Sequence, residues 1–153
     1  MAEQQVYRII NQEREEEQRS GALLATCFCG GLLAALVIGV LLALLGLRGI
    51  TVPGITGAVF KMEWLCPHMI IGGLWGLLYF FTVRSARRRW ARKGLLVALL
   101  PTAFQLFFLF PQRTPHGMLG LGLGYMTPFI TLFVNLAWGF LMGFFARVLW
   151  GRE

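Results

Sequence analysis

Four runs of mostly apolar residues constrain what this chain can fold into more than any other feature does. The runs cover roughly Ala22–Leu47, Trp64–Val83, Gly94–Phe110 and Met126–Leu149. A helix that crosses a hydrocarbon core about 30 Å thick needs about 20 consecutive apolar residues. A soluble domain of 153 residues, 57% of them hydrophobic, has too little interior to bury this much apolar surface. The sequence therefore predicts an all-α integral membrane protein with four transmembrane helices.

Basic residues are concentrated on one side of the predicted membrane. Eleven of the 14 Lys and Arg residues lie in the N-terminal segment, in the link between the second and third runs, and in the C-terminal tail. Cytoplasmic segments carry such an excess, so we predict a multi-pass protein of a bacterial inner membrane with both termini in the cytoplasm. This distribution favours contact with anionic lipid headgroups and argues against nucleic acid as a partner.

Residues 1–20 are predicted to form a cytoplasmic unit, separate from a transmembrane domain at residues 21–153. They contain no Pro or Gly and many strong helix formers. We expect a helix that either lies on the membrane surface or continues the first transmembrane helix, and its charges leave open a docking role. Because the segment is polar, we expect an uncleaved signal-anchor and no cleaved signal peptide.

The chain contains an internal similarity at a fixed offset of 63 residues. Residues 31–88 align with residues 94–151 without a gap and with thirteen identities, among them Trp75-Gly76 with Trp138-Gly139. Each unit would hold two spans, so we predict two parallel repeats related by an axis along the membrane normal. Thr51–Gly57 and Thr114–Gly120 share a T-x-x-G-x-x-G pattern, which predicts a short interfacial helix in each outer link.

Small residues at helical spacing predict where the helices approach each other closely. Such stripes drive packing in lipid, where no hydrophobic force acts between helices. The predicted packing positions are Gly31, Ala35, Gly72, Gly76, Gly139 and Gly143.

The face that includes His68 is the strongest candidate for a ligand site. His68, Gly72, Trp75 and Tyr79 follow at spacings of three and four, so they share one side of a helix. With His116 from an outer loop, this face could hold a planar cofactor such as haem or a quinone. The alternative is an interfacial His68 that bonds to a carbonyl or to Glu63. The sequence predicts no metal site, because the spacing of Cys66, His68 and His116 is not a known ligand pattern.

Two amide side chains are the deepest polar groups of the predicted spans. Gln105 lies in the third span and Asn135 in the fourth. Such amides commonly join helices, and they could instead line a substrate path. No Asp, Glu, Lys or Arg lies deep in any span, which argues against an ion-coupled transporter. Pro101 predicts a kink in the third span.

No arrangement of residues in the sequence indicates catalysis. We therefore predict a non-enzymatic membrane protein that serves as an accessory or structural subunit of a larger complex, or that forms a homo-oligomer. Two alternatives stay open. The first is a small channel or transporter with its path near Gln105 and Asn135. The second is a haem- or quinone-binding redox subunit that uses His68.

Overall fold

The protein is almost entirely helical in the residues that its computed structural model describes, which are 2–48, 62–82, 89–113, 115 and 117–150. The elements in chain order are α1 (Ala2–Leu47), α2 (Met62–Phe81), α3 (Trp90–Phe104), a π-helical segment (Gln105–Leu109), α4 (Phe110–Arg113), a 3₁₀ segment (Met118–Leu123) and α5 (Thr127–Leu149). Residues 10–47, 63–81, 90–112 and 127–149 are each long and apolar enough to cross a membrane. The predicted four-span all-α architecture is therefore confirmed.

The N-terminal segment and the first span form one helix. α1 runs from Ala2 to Leu47 without interruption, so its polar part continues the span. Gly21 lies at the junction, and a Cβ at this position would meet nothing within 4 Å. The division of the chain at residue 20 stays a prediction, because no break in the helix marks it.

The four long helices alternate in direction. α1 packs extensively against both α2 and α5, and α3 packs extensively against α5, whereas α2 and α3 share few contacts. Gly31 lies beside Gly76, and Gly39, further along α1, lies beside Leu65 at the start of α2, so these two helices are antiparallel. The helices are therefore ordered α2, α1, α5 and α3 around the bundle, and the start of α1 and the end of α5 lie on the same side.

The bundle is most tightly packed on the side where α1 starts and α5 ends, which we call the terminal end. Here the side chains of Cys27, Tyr79, Met142 and Ala146 are fully buried. α1 and α2 meet backbone to backbone, since a Cβ on Gly76 would lie 2.6 Å from the carbonyl oxygen of Cys27.

A second close approach joins α3 and α5. Gly94 lies against Gly139 and Gly143, the two predicted packing positions of the second half. Ala35 contacts Gly72, which brings all six predicted packing positions into contact between helices.

The third span changes its helical form near the middle. Pro101 is buried inside α3, and its missing N–H removes one backbone hydrogen bond without ending the helix. The helix then widens into the π segment at Gln105 and returns to α-helical form at Phe110. The kink at Pro101 stays a prediction, and the π-helical segment begins four residues after it.

The connection between α4 and α5 lies at the distal end, opposite the terminal end. The 3₁₀ segment occupies part of the second outer link, where Gly120 adopts a positive φ of 69° and is buried against Phe110 and Thr127. Its interfacial position stays a prediction. The short helix predicted in the first outer link falls outside the described residues.

Candidate ligand cavity

A cavity of about 620 Å³ lies between the helices in the distal half of the bundle. Every long helix contributes to its wall. The lining residues are Ala35, Ile38, Gly39 and Leu42 of α1; Trp64, His68, Ile71, Gly72 and Trp75 of α2; Pro101, Phe104, Gln105, Leu109 and Phe110 of the third span; Leu123; and Ile130, Thr131, Val134, Asn135 and Trp138 of α5.

The cavity exists because α2 and α3 contact each other mainly near the terminal end. There the Tyr79 hydroxyl donates a hydrogen bond to the Trp90 carbonyl at 3.4 Å. Further along, Trp75 contacts Phe104 with 5.6 Å between ring centroids. Ile71 and Phe104 both line the cavity and are 51% and 43% exposed. Since α2 and α3 also share few contacts, we infer that the cavity opens to the side of the bundle between them, where lipid tails would lie.

His68 is held in one orientation at the cavity wall by Trp64. Its ring stacks on Trp64 with 3.9 Å between centroids, and its Nδ1 lies 3.1 Å from the Trp64 carbonyl oxygen. A carbonyl oxygen only accepts hydrogen bonds, so Nδ1 carries a proton, and in the neutral imidazole Nε2 then keeps its lone pair. This is the carbonyl bond that the interfacial interpretation of His68 predicted.

The predicted ligand face is divided by the structure. His68, Gly72 and Trp75 line the cavity, whereas Tyr79 is fully buried near the terminal end and does not. His116 lies outside the described residues. Tyr79 follows Trp75 by one helical turn, but there α3 is already close enough to exclude any space.

Gln105 and Asn135 bond to each other across the third and fourth spans. Asn135 Nδ2 donates to Gln105 Oε1 at 3.2 Å and to the Thr131 carbonyl at 3.0 Å. These two acceptors fix the orientation of the Asn135 amide, because a reversed amide would place its oxygen against the Thr131 oxygen. Both amides also line the cavity. The pair therefore joins helices, as predicted, and is also part of the cavity wall.

The cavity thus unites two groups of residues that the sequence analysis treated separately. His68 and Trp75 come from α2, and the amide pair comes from the other half of the chain. His68, Gln105 and Asn135 share one feature in the sequence, which is that each lies in the distal half of a span. That signal could place them at one level of the membrane but could not show that they face the same space.

Trp138 is a further residue of the cavity wall, a role that helical spacing alone did not predict. Its indole Nε1 donates to the Gly31 carbonyl at 3.1 Å, and the residue is only 6% exposed. The 63-residue offset pairs Trp138 with Trp75, and both line the cavity. The offset was therefore an available signal for this role.

The described residues that line the cavity include no Asp, Glu, Lys or Arg. The described part of the chain also contains no group of three or more His, Cys, Asp or Glu residues that could hold a metal ion. Cys27 is buried in the core, and Cys29 and Cys66 are exposed, each as a free thiol.

The fold and the cavity define a multi-pass α-helical membrane protein. Its cavity opens to the side of the bundle and has a few polar groups in its wall. Comparison of the chain with family models, with curated proteins and with solved structures finds no match.

Proposed function

We propose that this is a non-enzymatic integral membrane protein that works by binding a lipophilic molecule in the cavity. The observation that carries the proposal is the cavity itself, of about 620 Å³ with aromatic and aliphatic walls. Ligand sites in proteins are concave, largely apolar and marked by a few convergent polar groups. The opening between α2 and α3 gives the ligand a route from the lipid that does not cross water.

The distribution of charge supports a position for this cavity in the outer leaflet. Arg89, Arg92 and Lys93 at the start of α3 and Arg147 at the end of α5 lie at the terminal end, together with the basic residues of the N-terminal part of α1. By the positive-inside rule, the terminal end is cytoplasmic. The distal half, and the cavity with it, then lies in the half of the membrane away from the cytoplasm.

The contacts between helices support an origin by duplication. Gly31 contacts Gly76 in the first half, and Gly94 contacts Gly139 in the second. Adding 63 to the first pair gives the second pair. The matching contacts are what two copies of one two-helix unit would produce, with the cavity built from residues of both copies.

Quenching of the buried Trp138 tests the binding proposal. In a protein that keeps Trp138 and has Phe at the other four Trp positions, a brominated alkane added to lipid nanodiscs should quench the emission. Filling the cavity with Leu42→Phe and Val134→Phe should relieve the quenching. Leu41→Phe is the matched control, because Leu41 is exposed and does not line the cavity.

A protein that keeps Trp90 as its single tryptophan controls for lipid access. Trp90 is half-buried at the terminal end and does not line the cavity. If the brominated alkane quenched Trp90 and left Trp138 unaffected, the cavity would not take lipophilic molecules and the proposal would be wrong. Circular dichroism and monodisperse elution establish that each variant is folded.

An accessory role in a larger membrane complex is the second candidate, and the N-terminal part of α1 favours it. Tyr7 and Ile10 are 69% and 49% exposed on a helix that extends beyond the bundle. We expect a membrane-protein subunit to co-purify in gentle detergent at fixed stoichiometry and to be lost with Tyr7→Ala and Ile10→Ala. A chain that elutes alone, with no crosslinked neighbour in native membranes, would remove this candidate.

The other two alternatives have their own tests. A channel needs a path beyond the cavity, yet Cys27, Tyr79, Met142 and Ala146 are fully buried at the terminal end. Solute flux in liposomes that is lost with Asn135→Leu would favour the channel.

For haem, His68 is the one cavity-lining residue among those described that has an iron-binding nitrogen. A purified protein with a Soret band that is lost with His68→Ala would favour haem binding.

A further inference from the structure

We infer that the cavity is selective for a neutral lipophile whose polar head carries a hydroxyl group, bound by Gln105, Asn135 and His68. The inference rests on the binding function proposed above and adds the chemical class of the ligand. It follows from the hydrogen-bonding groups of the cavity wall that the protein itself leaves unused.

The amide pair leaves one donor group and one acceptor. Asn135 Nδ2 uses both of its hydrogens, on Gln105 Oε1 and on the Thr131 carbonyl. The Asn135 Oδ1 atom and the two hydrogens of Gln105 Nε2 have no hydrogen-bond partner in the described part of the chain. The hydrogen-bonded amide pair in the cavity wall therefore still offers one acceptor, Asn135 Oδ1, and one donor group, Gln105 Nε2.

His68 adds a second acceptor. Its Nδ1 donates to the Trp64 carbonyl, so its Nε2 is an acceptor in the neutral imidazole. These three side chains thus offer two acceptors and one donor group, and the Thr131 hydroxyl and the indole N–H groups of Trp64 and Trp75 also belong to residues of the wall. Polar groups without partners in an apolar environment cost free energy, so a ligand that satisfies them gains affinity and selectivity.

A hydroxyl group matches this set better than the other common head groups do. It donates to Asn135 Oδ1 or His68 Nε2 and accepts from Gln105 Nε2. A ketone or quinone oxygen only accepts, so it would leave both acceptors unsatisfied. A phosphate, carboxylate or ammonium head would bury a charge beside a wall that has none among its described residues.

Two classes of lipophilic ligand would present such a hydroxyl group and fit the aromatic and aliphatic walls. One is an aliphatic lipid alcohol, and the other is a lipid-soluble quinol, whose flat ring would pack on the aromatic rings at positions 64 and 75, which the Phe substitutions of the test protein retain. Both present a neutral hydroxyl on an apolar body. The experiment separates them.

The test uses the protein with Trp138 as its single tryptophan, in lipid nanodiscs. The probes are a brominated octadecanol and its methyl ether, which keeps the oxygen as an acceptor and loses the donated hydrogen. We expect the alcohol to quench Trp138 at about one tenth of the concentration that the ether requires, because the ether leaves buried acceptors unpaired. Gln105→Leu with Asn135→Leu should abolish this preference.

Thr102→Val is the matched control for loss of a polar group in the third span. Thr102 is buried, its hydroxyl donates to the Ala98 carbonyl at 2.7 Å, and it does not line the cavity. The preference for the alcohol should survive this change. If the double amide variant does not fold, the ratio of alcohol to ether in the parent protein decides the question alone.

Competition with a short-chain quinol and its quinone identifies the source. Displacement of the brominated alcohol by the quinol at lower concentration than by the quinone supports the aromatic source. No displacement by either, with the alcohol preference intact, supports the aliphatic source. Stronger displacement by the quinone than by the quinol would overturn the inference.

Two outcomes separate this inference from the binding function on which it rests. If alcohol and ether quench equally and the cavity-filling Phe substitutions relieve both, binding stands and the hydroxyl assignment is wrong. If neither of these probes nor the brominated alkane quenches Trp138, both proposals are wrong.

Discussion

Replacement of Gly76 by Ala tests how strictly the α1–α2 contact depends on the absence of a side chain. A Cβ at this position would lie 2.6 Å from the Cys27 carbonyl oxygen and 3.0 Å from the Gly31 Cα. Carbon atoms in contact prefer separations of about 3.5–4.0 Å. Both neighbours are backbone atoms of another helix, so relief requires α1 and α2 to move apart.

Gly21→Ala is the control that isolates this steric cost. Both substitutions replace a helical glycine by alanine, which gains about 1 kcal/mol of helix propensity in each case. Gly21 has nothing within 4 Å of its Cβ position, so only Gly76→Ala also incurs the cost of overpacking, about 1–3 kcal/mol. We therefore expect Gly76→Ala to be less stable than Gly21→Ala by about 1–3 kcal/mol.

Reversible unfolding in mixed micelles, titrated with sodium dodecyl sulfate and followed by tryptophan fluorescence, measures this difference. Gly139→Ala should show a loss of similar size, because its Cβ would lie 2.6 Å from the Ala98 Cβ and would also meet the Gly94 carbonyl. If Gly76→Ala proved as stable as Gly21→Ala, the α1–α2 contact would not be as close as described, and the argument from backbone approach would be refuted.

Three further predictions concern the cavity and the topology. Trp138→Phe keeps an aromatic ring but loses the hydrogen bond to an α1 carbonyl, so the same unfolding assay should show a loss of about 0.5–1.5 kcal/mol; no loss would mean that this bond contributes nothing. Asn135→Leu removes the bond to Gln105, and interhelical bonds of this kind average about 0.6 kcal/mol; a loss several times larger would show that the pair organises the bundle. In a protein without its native cysteines, Tyr125→Cys at the distal end should react with an impermeant maleimide in intact cells, whereas Gly21→Cys should react only after the cells are opened. The opposite labelling pattern would reverse the proposed orientation.

The sequence contains enough information to predict the helices and the close contacts between them. Long apolar runs can satisfy their backbone hydrogen bonds in lipid only as helices or closed barrels, and these runs are too long for strands of a barrel. The stripes of small residues predicted where the helices come into close contact for a similarly direct reason. Gly31 and Gly76 tolerate backbone contact because they have no side chain, and this property belongs to the residue itself.

The candidate site is predicted less completely because it depends on which helices become neighbours. Helical spacing placed His68 and Trp75 on one face, and depth placed Gln105 and Asn135 within the spans. The same spacing also placed Tyr79 on the ligand face, although α3 packs too closely there to leave a cavity. Periodicity describes one helix at a time, whereas a cavity is a gap among several.

What the sequence by itself determined is the class of protein, the number of spans and the residues that permit close packing. Each follows from local properties, namely hydrophobicity, length and side-chain size. Only the tertiary structure decided that α2 and α3 separate toward the distal end and that the His68 face and the amide pair border one cavity. The physical reason is that many small packing contacts, between segments far apart in the chain, together set the angle between two helices. No single stretch of sequence specifies all of those contacts.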